Sequence, residues 1–240
     1  MNDQIIDFLP LEFCKRTNRS KLLAMLKNES IPEEKTYNSH LELLKEVAES
    51  SGQSRSTMAI EEFLNKSSRY SSWIKLMPDL SEVNSIYKYV NEYSKFNDWQ
   101  ALKNEIIKFG MIIPKGQCLY SGGSFETNDM QIEKLGFSTT LQPSVACIHS
   151  HSKNKDIALL KVSDDKTYGF ILNKTHRHKY EREILLAGML ELKFKAVESV
   201  GEYRVFDFDL YSIINWCKKL SLSCSSIITV LSRCLLITEL

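Results

Sequence analysis

At Gly110 the hydrophobic period of the chain changes, and this restricts the fold more than any other feature. Before that point apolar residues recur at helical spacing. In "NSHLELLKEVAESSG", Leu41, Leu43, Leu44 and Val47 share a face, with Ser39 placed to cap the start and Gly52 to stop it. "STMAIEEFLNKSS" repeats the pattern with Met58, Ile60, Phe63 and Leu64. "LSEVNSIYKYVNEYSKF" and "NDWQALKNEIIKFG" follow, the second opening at Asn97 and closing at Gly110, with Pro78 separating the middle helices. After Gly110 come short apolar runs broken by turns. "MIIPKGQCLYSGG" reads as turn, strand, turn, and "KLGFSTTL", "DIALLKV" and "TYGFIL" read as strands. "LELKFKAVESV" and "EYRVFDFDL" end the series as an alternating pair. These periods predict an α+β protein, with a helical region over 1–110 and a β-rich region over 111–240.

Charge and cysteine usage exclude several classes. Lysine and arginine total 31 against 30 acidic residues, a formal charge of +1, so nucleic acid is an unlikely partner. The six cysteines (Cys14, Cys118, Cys147, Cys217, Cys224 and Cys234) form no C-x-x-C pair, and no zinc spacing occurs, so no metal is expected. The opening "MNDQIIDFLPLEFCKRTNRS" has no basic segment before a long apolar run. Reduced thiols in a cytoplasmic setting are expected, or export into a host cell without a cleaved N-terminal signal. The end, "LSLSCSSIITVLSRCLLITEL", carries charge only at Arg233 and Glu239, and its uncharged stretch is shorter than a spanning helix needs. A packed helix or two short strands are expected there, ahead of membrane association.

Three stretches carry candidate chemistry. "CLYSGGSF" is a strand running into two glycines, "GFSTTL" offers three hydroxyls in succession, and "HKYEREILLAG" sets Glu181 and Glu183 two residues apart. In a helix those two carboxylates would point to nearly opposite sides, whereas in a strand they share a face. The surrounding strands favour the second reading, with Arg182 turned away.

The order "LYSG", "FSTTL", "EREILL" resembles the arginine-type mono-ADP-ribosyltransferases, among them bacterial toxins and the Mod enzymes of T-even phages. The resemblance covers residues 110–212. It implies two small, roughly perpendicular antiparallel sheets with the helical N-terminal region packed on them, and NAD as co-substrate in the cleft between. By the same resemblance Glu183 faces the ribose and stabilises an oxocarbenium-like transition state, held by Ser138. Glu181 would engage the guanidinium of an arginine on a target protein, whose proton must leave before its nitrogen can attack. Tyr120, Ser121, Gly122, Thr139 and Thr140 would contact NAD, the glycines letting backbone approach the cofactor. Tyr180 and Arg177 would belong to a substrate loop. Two positions depart from the family pattern: Thr140 stands for its usual serine, and Ser121 for an arginine that binds phosphate and ribose. A serine supplies one hydrogen bond and no charge. Lys115, Lys134 and Lys153 are candidate replacements, and a catalytically impaired NAD- or protein-binding module is the alternative.

Overall fold

The computed structural model describes residues 4–14, 34–50, 55–132, 136–152, 154–172 and 181–213. Tyr180, Arg177, Lys134, Lys153 and the C-terminal apolar segment lie outside these described residues. Two strands that the periodicity did not suggest come first: β1 (Leu11–Cys14) pairs antiparallel with β2 (Glu34–Tyr37). Helices α1 (His40–Glu49), α2 (Arg55–Lys66), α3 (Ser68–Leu76), α4 (Asn84–Asn91) and α5 (Trp99–Phe109) follow. Their starts are set by side-chain oxygens accepting otherwise unpaired backbone N–H groups. Ser39 Oγ accepts from Glu42 at 3.1 Å, as the sequence suggests. Ser67 Oγ accepts from Tyr70, which starts the unexpected helix α3. Asp98, not Asn97, caps α5.

Strands resume at β3 (Met111–Ile112) and continue with β4 (Cys118–Gly123), β5 (Met130–Ile132) and β6 (Gly136–Thr140). A further helix, α6 (Pro143–Ser150), leads to β7 (Asp156–Val162), β8 (Tyr168–Ile171), β9 (Glu183–Ala187), β10 (Leu190–Val200) and β11 (Tyr203–Ser212). Strands β3 to β11 form one sheet in the order β3-β8-β9-β6-β4-β7-β11-β10-β5. Only β7 and β11 are parallel neighbours. This corrects the expectation of two separate sheets. Four strands (β3, β8, β9, β6) and five (β4, β7, β11, β10, β5) are joined through a single residue pair, Tyr120 opposite Thr140. By contrast, β4 and β7 pair along their whole length, from Cys118 to Gly123. The weak seam lies where β4 and β6 part, and it positions the cleft described below.

Helices α1 and α5 each bury one stripe against the sheet. Leu43, Leu44 and Val47 of α1 and Leu102 and Ile106 of α5 are fully buried in a core shared with Leu160, Leu185 and Phe208. Gly136 makes room for α5: a Cβ there would lie 2.7 Å from Leu102 Cδ2.

The N-terminal segment is tied down by side chains from distant elements. Gln117 accepts from Ile6 N–H at 2.8 Å and donates to Ile6 C=O at 3.0 Å, both in buried surroundings. His40 Nδ1 lies 2.6 Å from the Tyr120 hydroxyl, and Nε2 lies 3.4 Å from Asp7 Oδ1. Burial opposes charging of His40, but hydrogen bonds with Asp7 and Cys118 outweigh it and push its pKa up to about 9. A folded-state pKa above the unfolded value of about 6.5 means stability that is fully present below pH 6.5. That contribution is lost as pH rises through 9. The stability difference between wild type and His40→Gln, followed by thermal melting, is therefore expected to shrink between pH 6.5 and pH 9. A difference that stays constant or grows would refute the charged pairing.

Candidate active site

The antiparallel register of β6 and β9 sets Ser138 opposite Leu185 and Thr140 opposite Glu183. Ser138 and Glu183 are thus diagonal neighbours on one face, within reach of each other. Ser138 Oγ donates to Glu183 Oε1 at 2.6 Å, a short, charge-assisted bond. The other hydroxyls of the triplet secure backbone. Thr139 Oγ1 donates to Ile184 C=O at 2.8 Å, and Thr140 Oγ1 donates to Glu181 C=O at 2.5 Å. "STT" therefore holds the strand and the acidic turn as well as lining the cleft.

Glu181 and Glu183 border the same cleft, but not by strand alternation. The strand begins at Glu183, and Arg182 sits in the left-handed region at φ 49°. A non-glycine residue there costs about 1–2 kcal/mol and persists only when its surroundings hold it. The surroundings are visible. The Arg182 side chain is 3% exposed, its Nη2 donates to Asn65 Oδ1 at 2.7 Å, and its Cζ lies 5.4 Å from the Tyr70 ring centre. Glu61 lies 3.8 Å away. Arg182 is turned away from the cleft, as expected, but as an anchor sunk between the acidic turn and helices α2 and α3.

The cleft has a volume of about 740 Å³ and opens at the seam between β4 and β6. Tyr120, Ser121 and Gly122 border it from one side, and Ser138, Thr139 and Thr140 from the other. Ser121 is buried and donates to the Ser138 carbonyl at 3.1 Å, bridging the strands just past their single pairing. Its hydroxyl acts as a tie. Tyr120 is fully buried with its hydroxyl engaged by His40. Gly122 answers a different steric demand from the expected approach of cofactor: a Cβ there would meet the Ala146 carbonyl oxygen at 2.1 Å and Ser150 N at 2.6 Å. The missing side chain lets α6 rest directly on β4. Lys115, one candidate for the absent cation, does not border the cleft.

Two features of the site escaped the sequence reading. One is an aromatic wall from α4, the turn after it and the start of α5, where Tyr89, Tyr93 and Trp99 border the cleft. Tyr89 and Trp99 meet edge-to-face at 6.0 Å, and Phe96 stacks edge-on behind Trp99 at 5.2 Å. Burial, then the negative charge of Glu183, raises the Tyr89 pKa above its ordinary value and keeps the phenol neutral. The other is His149 on α6, whose Nε2 lies 3.4 Å from Glu181 Oε2. Pro143 in the first turn of α6 was the available signal for that helix. Among the described residues no group of His, Cys, Asp and Glu could hold a metal ion, and no helix is long and apolar enough to cross a membrane.

No protein-family model matches the chain, and no curated protein sequence matches it. Solved structures do. It is similar to Plx2a, an ADP-ribosyltransferase toxin from Paenibacillus larvae, at 11% identity over 65% of this chain and 96% of that one, with a TM-score of 0.47. It is also similar to BECa, an ADP-ribosylating toxin of a binary enterotoxin of C. perfringens, crystallised with NADH, at 15% identity and a TM-score of 0.44. That match covers 64% of this chain, which spans 48% of the BECa chain. A third similar structure is the ADP-ribosyltransferase Vis in complex with the M6 inhibitor: 15% identity, 72% of this chain and 74% of that one, TM-score 0.38. Likenesses of this strength leave the activity of the chain to be argued from its own cleft.

Proposed function

We propose that the protein is a mono-ADP-ribosyltransferase that takes ADP-ribose from NAD and places it on an arginine of a target protein, with hydrolysis of NAD as a side reaction. One observation carries the reading: a serine-held carboxylate, Ser138 Oγ to Glu183 Oε1 at 2.6 Å, shares a cleft with a second carboxylate, Glu181. Breaking the bond between nicotinamide and ribose builds positive charge on the sugar. A carboxylate fixed beforehand by a hydroxyl stabilises that charge without reorganising. Glu181 can bind a guanidinium through both oxygens and withdraw its proton.

The cleft suits NAD as substrate. Its size lies in the range that holds ligands of this kind, and Tyr89, Tyr93 and Trp99 offer flat apolar faces for rings. Ser138, Thr139 and Thr140 border it from β6. The bond from Ser121 to Ser138 favours a second reading, a module that binds NAD or a partner without turnover, because the strand that would carry a cation carries a structural tie instead. Labelled NAD, incubated with the protein and a mixed protein lysate, separates the two. Label is expected on protein, to disappear with Glu183→Ala, and to be released by hydroxylamine as arginine linkages are. No label and no nicotinamide release at high NAD would leave the second reading.

A further inference from the structure

Transfer of ADP-ribose to an arginine releases a proton. The bond to nicotinamide breaks and its electron pair stays with the ring nitrogen; the new bond forms from a guanidinium nitrogen, which loses N–H. Glu181 can take that proton but must give it up before the next turnover. We propose that His149 accepts the proton from Glu181 and passes it to water, making α6 part of the transfer machinery. This inference rests on the function proposed above.

The geometry supports this assignment at each step. His149 Nε2 lies 3.4 Å from Glu181 Oε2, and both side chains border the cleft. The His149 side chain is 55% exposed against 27% for Glu181, so the imidazole is the member of the pair with the freer route to solvent. An imidazole is also the side chain whose ordinary pKa allows it to take up and release protons near neutrality. Its position follows from the fold. Gly122 has no Cβ, and one placed there would lie 3.0 Å from the His149 carbonyl carbon, so only glycine lets this turn of α6 settle beside the seam. His149 occupies the last turn of α6. Among the described residues no lysine or arginine borders the cleft.

A relay and a merely structural role predict different kinetics. Transfer to agmatine, a small soluble guanidinium, and hydrolysis of NAD would be measured on the same preparations of wild type, His149→Ala and His149→Gln. Hydrolysis does not route a guanidinium proton through Glu181. The ratio of transfer to hydrolysis is therefore expected to fall about tenfold or more in both variants. Free imidazole should restore transfer by His149→Ala in proportion to its concentration and leave wild type unaffected. His149→Gln, which keeps a polar side chain of similar reach, guards against loss of fold, with thermal melting as the check. An unchanged ratio, or no rescue by imidazole, overturns the relay while leaving the transferase reading intact. If wild type neither transfers nor hydrolyses, the reading beneath it fails as well.

Discussion

Glu183→Gln is expected to slow nicotinamide release and ADP-ribose transfer together, by about 10²–10³-fold. The substitution keeps the size and the hydrogen-bonding reach of the side chain. Ser138 Oγ can still donate to a carbonyl oxygen where it now donates to Glu183 Oε1 at 2.6 Å. On the proposed mechanism, what is removed is the negative charge at the place where positive charge develops. Because the strand pairing of Ile184 to Ala187 with β6 is untouched, stability should change by no more than about 0.5 kcal/mol. Ser138→Ala keeps the charge and loses its tether. A hydrogen bond to a charged group contributes about 1.5–3 kcal/mol, which corresponds to a drop of about 10- to 150-fold. Steady-state release of nicotinamide, measured for all three proteins, gives the ordering. If Glu183→Gln retained wild-type turnover, the carboxylate would have no part in the chemistry.

The largest expected effect on stability comes from a residue that never meets substrate. Arg182→Ala should destabilise the fold by about 2–4 kcal/mol. The change empties a buried site, leaves Asn65 Oδ1 without the Nη2 donor now 2.7 Å away, and removes the guanidinium from the Tyr70 ring. It also keeps a non-glycine residue at φ 49° with nothing to hold it there. Arg182→Gly separates the two contributions, since glycine accepts that backbone freely. The expected order of stability is wild type, then Arg182→Gly, then Arg182→Ala, with both variants below wild type in urea unfolding. Activity should follow stability only in part. Freed from its anchor, the turn no longer aims Glu181, so transfer to arginine should suffer more than hydrolysis. A variant as stable as wild type would mean that the buried arginine does not maintain the turn.

Arg182 also marks the limit of what could be read from the sequence. Period alone located α1, α2 and α5, and it located β7 to the residue. The motif order pointed to Ser138 and Glu183, which the fold brings into contact, and to Glu181, which shares their cleft. Alternation suggested that Glu181 and Glu183 share a strand face. They converge instead through a left-handed residue, and a charged side chain gives no local hint of positive φ when its support comes from Asn65 and Tyr70, more than a hundred positions earlier. Ser121 shows the same limit. As a letter in a motif it was a missing cation, whereas in the fold its hydroxyl bridges two diverging strands. The single-pair seam could not be foreseen either, since register between non-consecutive strands leaves no trace in either strand's own pattern. His149 was hidden because α6 is a short helix of mixed polarity between two strands, with Pro143 as its only punctuation.

On the proposed function, the cleft at this seam breaks the bond between nicotinamide and ribose. Chromatographic measurement of nicotinamide released from NAD by the purified wild-type chain tests it most directly. Release is expected to grow with time and with enzyme concentration and to be nearly abolished in Glu183→Gln. Release no greater from wild type than from Glu183→Gln, at saturating NAD and with both proteins folded, would contradict it.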